Sequence, residues 1–150
     1  MRLVSQRVLK STLRIEDAVY SEIGKGLLIL IGVEESDSED DVDWLAAKMS
    51  SMRIFSDADG KMNLDVTQVN GEIMVVSQFT LFASTKKGNR PSFIRSAKPE
   101  IAIPLYERFI NKIRELTQLP VKTGKFGADM QIELVNDGPV TIIIDSKNRE

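Results

Sequence analysis

The run Leu27-Leu28-Ile29-Leu30-Ile31, bounded by Gly26 and Gly32, limits what this chain can become more than any other feature. It is far shorter than the roughly 20 apolar residues that a membrane-spanning helix requires. A short, unbroken and partly β-branched run of this kind reads as a central strand with protein on both faces. A layer above it and a layer below it must then come from the rest of the chain.

The flanking sequence supplies both. Arg2 to Ile15 mixes Val, Leu, Ile and Thr with polar residues and reads as a half-buried strand. Glu16-Asp17 interrupts it, and Ala18 to Ile23 forms the second arm of a hairpin, with the next turn at Gly24 and Gly26. Ser38 with Asp41 has capping-box spacing, and Val42, Leu45, Ala46, Met49 and Met52 then recur on one helical face, predicting a helix that ends near Phe55. Methionines on such a stripe are core, not ligands.

Ser56 to Gly60 lacks the remaining ligands of a calcium loop and reads as a turn. Asn70-Gly71 is a hairpin signal ahead of a buried strand running from Glu72 to Phe82. Pro99 opens a second amphipathic helix carrying Ala102, Leu105, Phe109, Ile113 and Leu116, and alternation resumes with Met130, Ile132 and Leu134, then Val140, Ile142 and Ile144. The expectation is a single mixed α/β domain over residues 1–150, with about seven strands and two helices.

Composition narrows the chemistry. The chain has no cysteine and no histidine, which removes disulfides, thiolate nucleophiles, the usual zinc sites and any Ser-His-Asp triad. No side chain is left with an ordinary pKa near neutrality to act as a ready base. No cofactor or metal is expected. Arg2 and Arg7 are followed by alternating residues and not by an apolar core, so no export signal is read, and a cytoplasmic location without membrane association is expected.

A net charge of −2 argues against coating nucleic acid by bulk electrostatics, and DNA is not an expected partner. The distribution is uneven, however. Lys86, Lys87, Arg90, Arg95 and Lys98 lie in a stretch without an acid, whereas residues 34–43 hold seven acids and no base. That asymmetry permits a local phosphate-binding face; two solvated surface segments would look the same.

Three clusters can carry chemistry. Ser77, Gln78 and Thr80 place polar groups within an apparently buried strand, where each must find a partner or cost roughly 1–3 kcal/mol. They either pair within the sheet or form a site. Asn136-Asp137-Gly138-Pro139-Val140-Thr141 lies between two strand-like segments and is either a turn or a place that presents bare carbonyl oxygens. Gly88-Asn89-Arg90-Pro91-Ser92-Phe93 offers an arginine for phosphate and an aromatic ring for stacking, or is a plain surface loop.

Together these segments resemble the D-aminoacyl-tRNA deacylase family along nearly the whole chain. Ser77-Gln78-Phe79-Thr80-Leu81 is similar to that family's first signature and Asn136 to Thr141 to its second. Arg53 to Asp57, Gly60 to Leu64, Arg90 to Phe93 and Ala128-Asp129-Met130-Gln131 are similar at corresponding points, while residues 84–89 depart from the pattern.

The resemblance implies a barrel-like mixed sheet, a homodimer, and a carboxylic ester hydrolase acting on the aminoacyl-tRNA 3′ end, with glycine as well as D-amino acids released. It implies that Gly138 and Pro139, joined by a cis bond, reach into the partner's pocket as a chirality filter. Thr80, Gln78, Phe79 and Ser77 would be catalytic, and Asn136, Arg90, Phe93 and Met130 would join the filter in binding substrate. With no histidine to activate Thr80, assistance by the ribose 2′-hydroxyl, with N–H groups near Phe79 and Thr80 holding the ester carbonyl, is favoured over a covalent threonine. Two rivals are a non-catalytic RNA-binding module and a purely structural dimer.

Overall fold

A computed structural model describes residues 1–149. Its elements in chain order are β1 (Arg2–Ile15), β2 (Ala18–Ile23), β3 (Gly26–Gly32), α1 (Glu39–Ser50), β4 (Phe55–Ser56), β5 (Met62–Leu64), β6 (Glu72–Ser77), α2 (Pro99–Thr117), β7 (Val121–Thr123) and β8 (Gln131–Asp145). A 3-10 turn, Phe79–Phe82, follows β6. Among the described residues no helix is long and apolar enough to cross a membrane.

β1 organises the sheet. One edge pairs antiparallel with β3 along Arg2–Val8 and with β2 along Ser11–Ile15, and the other edge pairs with β8. From β3 the sheet continues through parallel neighbours β6 and β7. Ser21 Oγ donates to Thr123 O at 3.0 Å, linking β2 back to β7, so the sheet curls into a nearly closed mixed barrel. The short β4–β5 hairpin stands apart.

The glycine-bounded run becomes β3, and strand periodicity splits it as expected. Leu27, Ile29 and Ile31 pack toward α1 and α2 in a cluster with Val42, Leu45, Phe109 and Ile113. Leu28 turns the other way, into a second cluster with Val8, Leu13, Met74 and Val76. Both faces of the strand are therefore covered.

Three local expectations need correction. α1 stops at Ser50 and not near Phe55, because Ser51 Oγ donates to Ala47 O at 2.9 Å and Phe55 is taken up by pairing with Leu64. Asn70, at φ 48°, does make a turn, yet β6 leaves it parallel to β3 and not as a hairpin arm. The strand expected from Glu72 to Phe82 ends at Ser77, and the chain coils into the 3-10 turn. On α2 the buried stripe includes Tyr106 and Ile110, while Leu116 is exposed.

The Ser38–Asp41 capping box forms, and its acid does more than cap. Asp41 accepts from the Ser38 N–H at 2.9 Å and from Lys147 Nζ at 2.8 Å, tying the start of α1 to the chain beyond β8. Burial pushes the Asp41 carboxyl up, but hydrogen bonds from Lys147, Ser146 and Ser38 outweigh it and hold the group well below the usual carboxylate range. Nearby, the ammonium of Met1 is buried against Asp37 and donates to Ser146 Oγ at 2.7 Å.

A depressed folded-state pKa means stability present above the unfolded value, about 3.9, and lost as pH falls through it toward the folded one. Asp41→Asn should therefore lower unfolding free energy by about 1–2 kcal/mol at pH 7. The deficit should shrink below about pH 4, where Asp41 of the unfolded parent takes up a proton while the folded carboxyl is still ionised. Urea titrations at both pH values read the difference, and an equal deficit at both would contradict the assignment. A second variant probes the join between β3 and the turn: a Cβ on Gly32 would lie 2.9 Å from Gln78 O and 3.2 Å from Leu81 Cβ and Phe82 Cδ2. Gly32→Ala should cost about 1–3 kcal/mol in the same titration.

Candidate active site

Parallel strands β3 and β6 end side by side, with Ile31 opposite Ser77. Crevices beyond the carboxyl ends of parallel strands are where open α/β sheets bind ligands. Here Gln78 N donates to Ile31 O at 2.7 Å as the last rung of the ladder, after which the chain turns out of the sheet. The turn is anchored by Phe82, only 1% exposed, with Arg2 and Arg95 guanidinium groups 5.0 and 5.4 Å from its ring centre. Arg2 also donates to Leu81 O at 2.9 Å. The first N–H groups of such a turn have no partner inside it.

A cleft of about 310 Å³ opens beside the turn. Ser77, Gln78, Phe79 and Met130 all line it, joining residues that lie far apart in sequence. Tyr106 and Phe126, with ring centroids 6.1 Å apart, also line the cleft. Neither was singled out in the sequence. Tyr106 sits on the α2 stripe, and its hydroxyl donates to Val75 O at 2.9 Å; burial pushes this phenol above its ordinary pKa, so it stays a neutral donor. Asp129 supplies an acid at the exposed rim. Among the described residues no cluster of three or more acids is arranged to hold a metal ion.

Thr80 faces elsewhere. It lines a separate groove with Arg2, Trp44, Leu81 and residues 142–145 of β8. Its Oγ1 accepts from Gln78 Nε2 at 2.5 Å, which joins the two sides of the turn. Phe93 meets Phe79 edge-on, with centroids 5.1 Å apart, and Ser96 Oγ donates to Phe79 O at 2.8 Å. The arm after the basic loop thus forms one wall of the cleft mouth. Arg90 lies on the exposed loop itself.

The second signature sits inside β8, where it interrupts the ladder with β1. Thr141 pairs with Gln6 and Asn136 with Val8, so residues 137–140 bulge out between them. Asn136 spans the bulge: its Oδ1 accepts from Val140 N at 3.0 Å and its Nδ2 donates to Val140 O at 3.2 Å. Its amide is thus spent on holding the bulge. Beneath lies the buried Arg7, which donates to Ile54 O at 2.6 Å and to Asp137 O at 3.2 Å and pairs with the Asp137 carboxylate at 3.0 Å. The Gly138-Pro139 bond is cis, and both residues are exposed.

Within one chain the two signatures stay apart. The bulge lies beside Arg7 of β1, whereas Ile31, at the root of the cleft, pairs with Leu3. Four residues along a strand separate those levels by about 13 Å. Gly138 and Pro139 line neither the cleft nor the Thr80 groove.

Comparison with known proteins bears on this arrangement. The sequence profile of the D-Tyr-tRNA(Tyr) deacylase family matches residues 4–145. Proteins named D-aminoacyl-tRNA deacylase from Akkermansia muciniphila and Parabacteroides distasonis are 61% and 57% identical over 150 residues, covering 100% of both chains in each case. Among solved structures, one titled c-Myc DNA Unwinding Element Binding Protein superposes with a TM-score of 0.90 at 36% identity, covering 97% of this chain and 98% of that one. Another, titled as a probable eukaryotic D-amino acid tRNA deacylase, shares the fold at a TM-score of 0.80 and 17% identity, covering 95% of this chain and 97% of the other. With this profile and these identities over its full length, the chain belongs to the D-Tyr-tRNA(Tyr) deacylase family.

Proposed function

We propose that this chain, a hydrolase of the deacylase family, cleaves the ester between a D-amino acid or glycine and the 3′ end of tRNA, in the cytoplasm. The observation that carries the reading is the Gln78-Phe79-Thr80 turn, set at the carboxyl ends of two parallel strands between a cleft and a groove. The cleft suits the terminal adenosine, with Phe79 and Phe126 as apolar surface, Met130 beside them, and Gln78 and Ser77 able to reach ribose hydroxyls. The free N–H groups at the start of the turn are suited to holding the ester carbonyl oxygen as charge develops on it.

Thr80 is a poor candidate for a covalent nucleophile. Its hydroxyl is bound to the Gln78 side chain, and an amide takes no proton at neutral pH. The chain contains no histidine to do so instead. Water attacks the ester carbon, oriented by the substrate's vicinal 2′-hydroxyl, which relays the water's proton to the departing 3′-oxygen as the acyl C–O bond breaks; no protein base is needed, and the enzyme's share is to fix geometry and stabilise the oxyanion.

Selection between mirror images belongs to Gly138 and Pro139, acting across a homodimer. Among the described residues β8 has neighbours on one edge only, and along its 15 residues Ile143 is 69% exposed and Val135 39%. A long strand edge with apolar side chains is a surface that soluble proteins cover. The Thr80 groove is lined by residues 142–145 of the same strand, so a second copy packed along β8 brings its bulge toward that groove. Main-chain oxygens there accept from the substrate α-ammonium, and an L side chain collides with backbone. Glycine has no side chain to reject and passes.

Deacylation assays with D-, L- and glycyl-tRNA test the whole reading; it requires cleavage of the first and third with L-aminoacyl-tRNA spared. Salt-sensitive tRNA binding without any cleavage would favour a nucleic-acid-binding role, which the name of the DNA-unwinding-element relative also raises. At Gly138, φ is 127° and an added Cβ would lie 2.7 Å from Val140 Cγ2 and 3.1 Å from Arg7 Nη2. Gly138→Ala should therefore reduce D-over-L discrimination by about tenfold or more, and an unchanged ratio would remove the filter from this site. Thr80→Ala should retain hydrolysis within about tenfold, whereas a terminal 2′-deoxyadenosine should abolish it; the reverse pattern would assign the attack to the threonine.

A further inference from the structure

We infer that the hairpin loop closed by Ser84 and Ser92, together with Lys98 at the start of α2, grips the phosphates of the tRNA acceptor stem. The inference rests on the deacylase reading, because it concerns how the remainder of that substrate lies against the protein.

The first support is how the two charged segments use their charges. Of the acids in residues 34–43, Glu34 pairs with Arg95 at 3.0 Å, Asp37 holds the Met1 ammonium, Asp41 binds Lys147, and Glu39 and Asp43 share Arg108 at 2.9 Å each. Most of that negative charge is thus consumed inside the fold. In the basic stretch only Arg95 is consumed in this way. Lys86, Lys87, Arg90 and Lys98 are exposed and make no ion pair among the described residues. Clustered cations without partners repel one another, so the arrangement becomes favourable only when an anion approaches.

The second support is position. Ser84 N donates to Ser92 O at 2.8 Å and Ser92 N to Ser84 O at 2.9 Å, so the loop projects as a closed unit. Its outgoing arm carries Phe93, which meets Phe79, and Ala97, which lines the cleft and donates from its N–H to Val33 O at 2.9 Å. An RNA strand that leaves the cleft along this arm therefore meets the loop. Lys98 adds to this field from an unusual place. It is the N-cap of the 19-residue α2, a position that favours Ser, Asp or Asn, and its side chain caps nothing. A cation at the positive end of a helix is unfavourable; Glu100 lies in the same first turn, yet among the described residues Lys98 forms no ion pair with it or with any other acid.

The test pairs two substrates on the full chain: D-aminoacyl-tRNA, and the same amino acid esterified to adenosine alone. With Lys86→Gln/Lys87→Gln/Lys98→Gln, KM for the tRNA should rise about tenfold at 100 mM salt. The slope of log(kcat/KM) against log[salt] should become shallower by about 0.9 per phosphate contact removed. Kinetics on the adenosine ester should not change. Equal losses on both substrates would mean that the loop only shapes the cleft, and no loss on tRNA would mean that the cations are idle; either overturns the inference. Anisotropy titration of uncharged tRNA reads the same contacts without chemistry, and an unaltered affinity and salt slope in the variant would also overturn it. If the parent protein cleaves neither ester, the deacylase reading fails, and this titration still decides whether the loop binds RNA.

Discussion

The parallel ladder between β3 and β6 closes only because glycine stands at both ends of β3. At the start, a Cβ on Gly26 would fall 1.8 Å from Glu72 O, inside the backbone of the neighbouring strand. At the finish, Gly32 lets the Gln78 carbonyl and the Phe82 ring come within ordinary contact. Between them, Leu27 to Ile31 divide their side chains between two cores, so the strand cannot shift by one residue without exchanging its faces. The register of β6 is fixed in consequence, and with it the point where Ser77 ends and the Gln78 turn begins. The cleft is a product of that register.

This dependence explains what was legible beforehand. The hydrophobic run, the β1–β2 hairpin, the Ser38 capping box and both helix stripes are short-range patterns, and the structure reproduces them except at the stripes' last positions, Met52 beyond α1 and the exposed Leu116 on α2. What could not be read was anything decided by a distant partner. Asn70-Gly71 signals a turn through local backbone preference, but the direction in which β6 then runs is set by β3, some forty residues earlier in the chain. The end of β6 is similar: Phe79, Leu81 and Phe82 look like strand residues, and only contact with Arg2 and Arg95 shows why Phe82 folds back as an anchor.

The site was legible in the same uneven way. Ser77, Gln78, Phe79 and Met130 meet at one cleft although Met130 is more than fifty residues away. Tyr106 was hidden because an aromatic on an apolar stripe looks like any core residue, and Phe126 because it lies in the connection between β7 and β8, where no periodicity marks it. Asn136 illustrates the opposite difficulty. Its place in a motif points to substrate binding, and what the motif does not reveal is that its amide also supplies the hydrogen bonds that the broken ladder leaves missing across the bulge. Arg7 went unnoticed as part of the same device, since nothing in a strand of alternating residues indicates a buried guanidinium.

The bulge and the turn share one physical strategy. In the proposed function each would put main-chain atoms in the place of side-chain chemistry, and each is held by a charged or amide group: Arg7 and Asn136 beneath Gly138, Arg2 and Arg95 around Phe82. Main-chain groups do not titrate, do not change rotamer and do not depend on residue identity at the point of contact. A chain without histidine or cysteine has few other means of presenting a rigid donor or acceptor to a ligand. Rigidity is also what discrimination between mirror images demands. Two enantiomers expose identical groups, so a flexible site accommodates both, and only a surface that cannot yield separates them by shape.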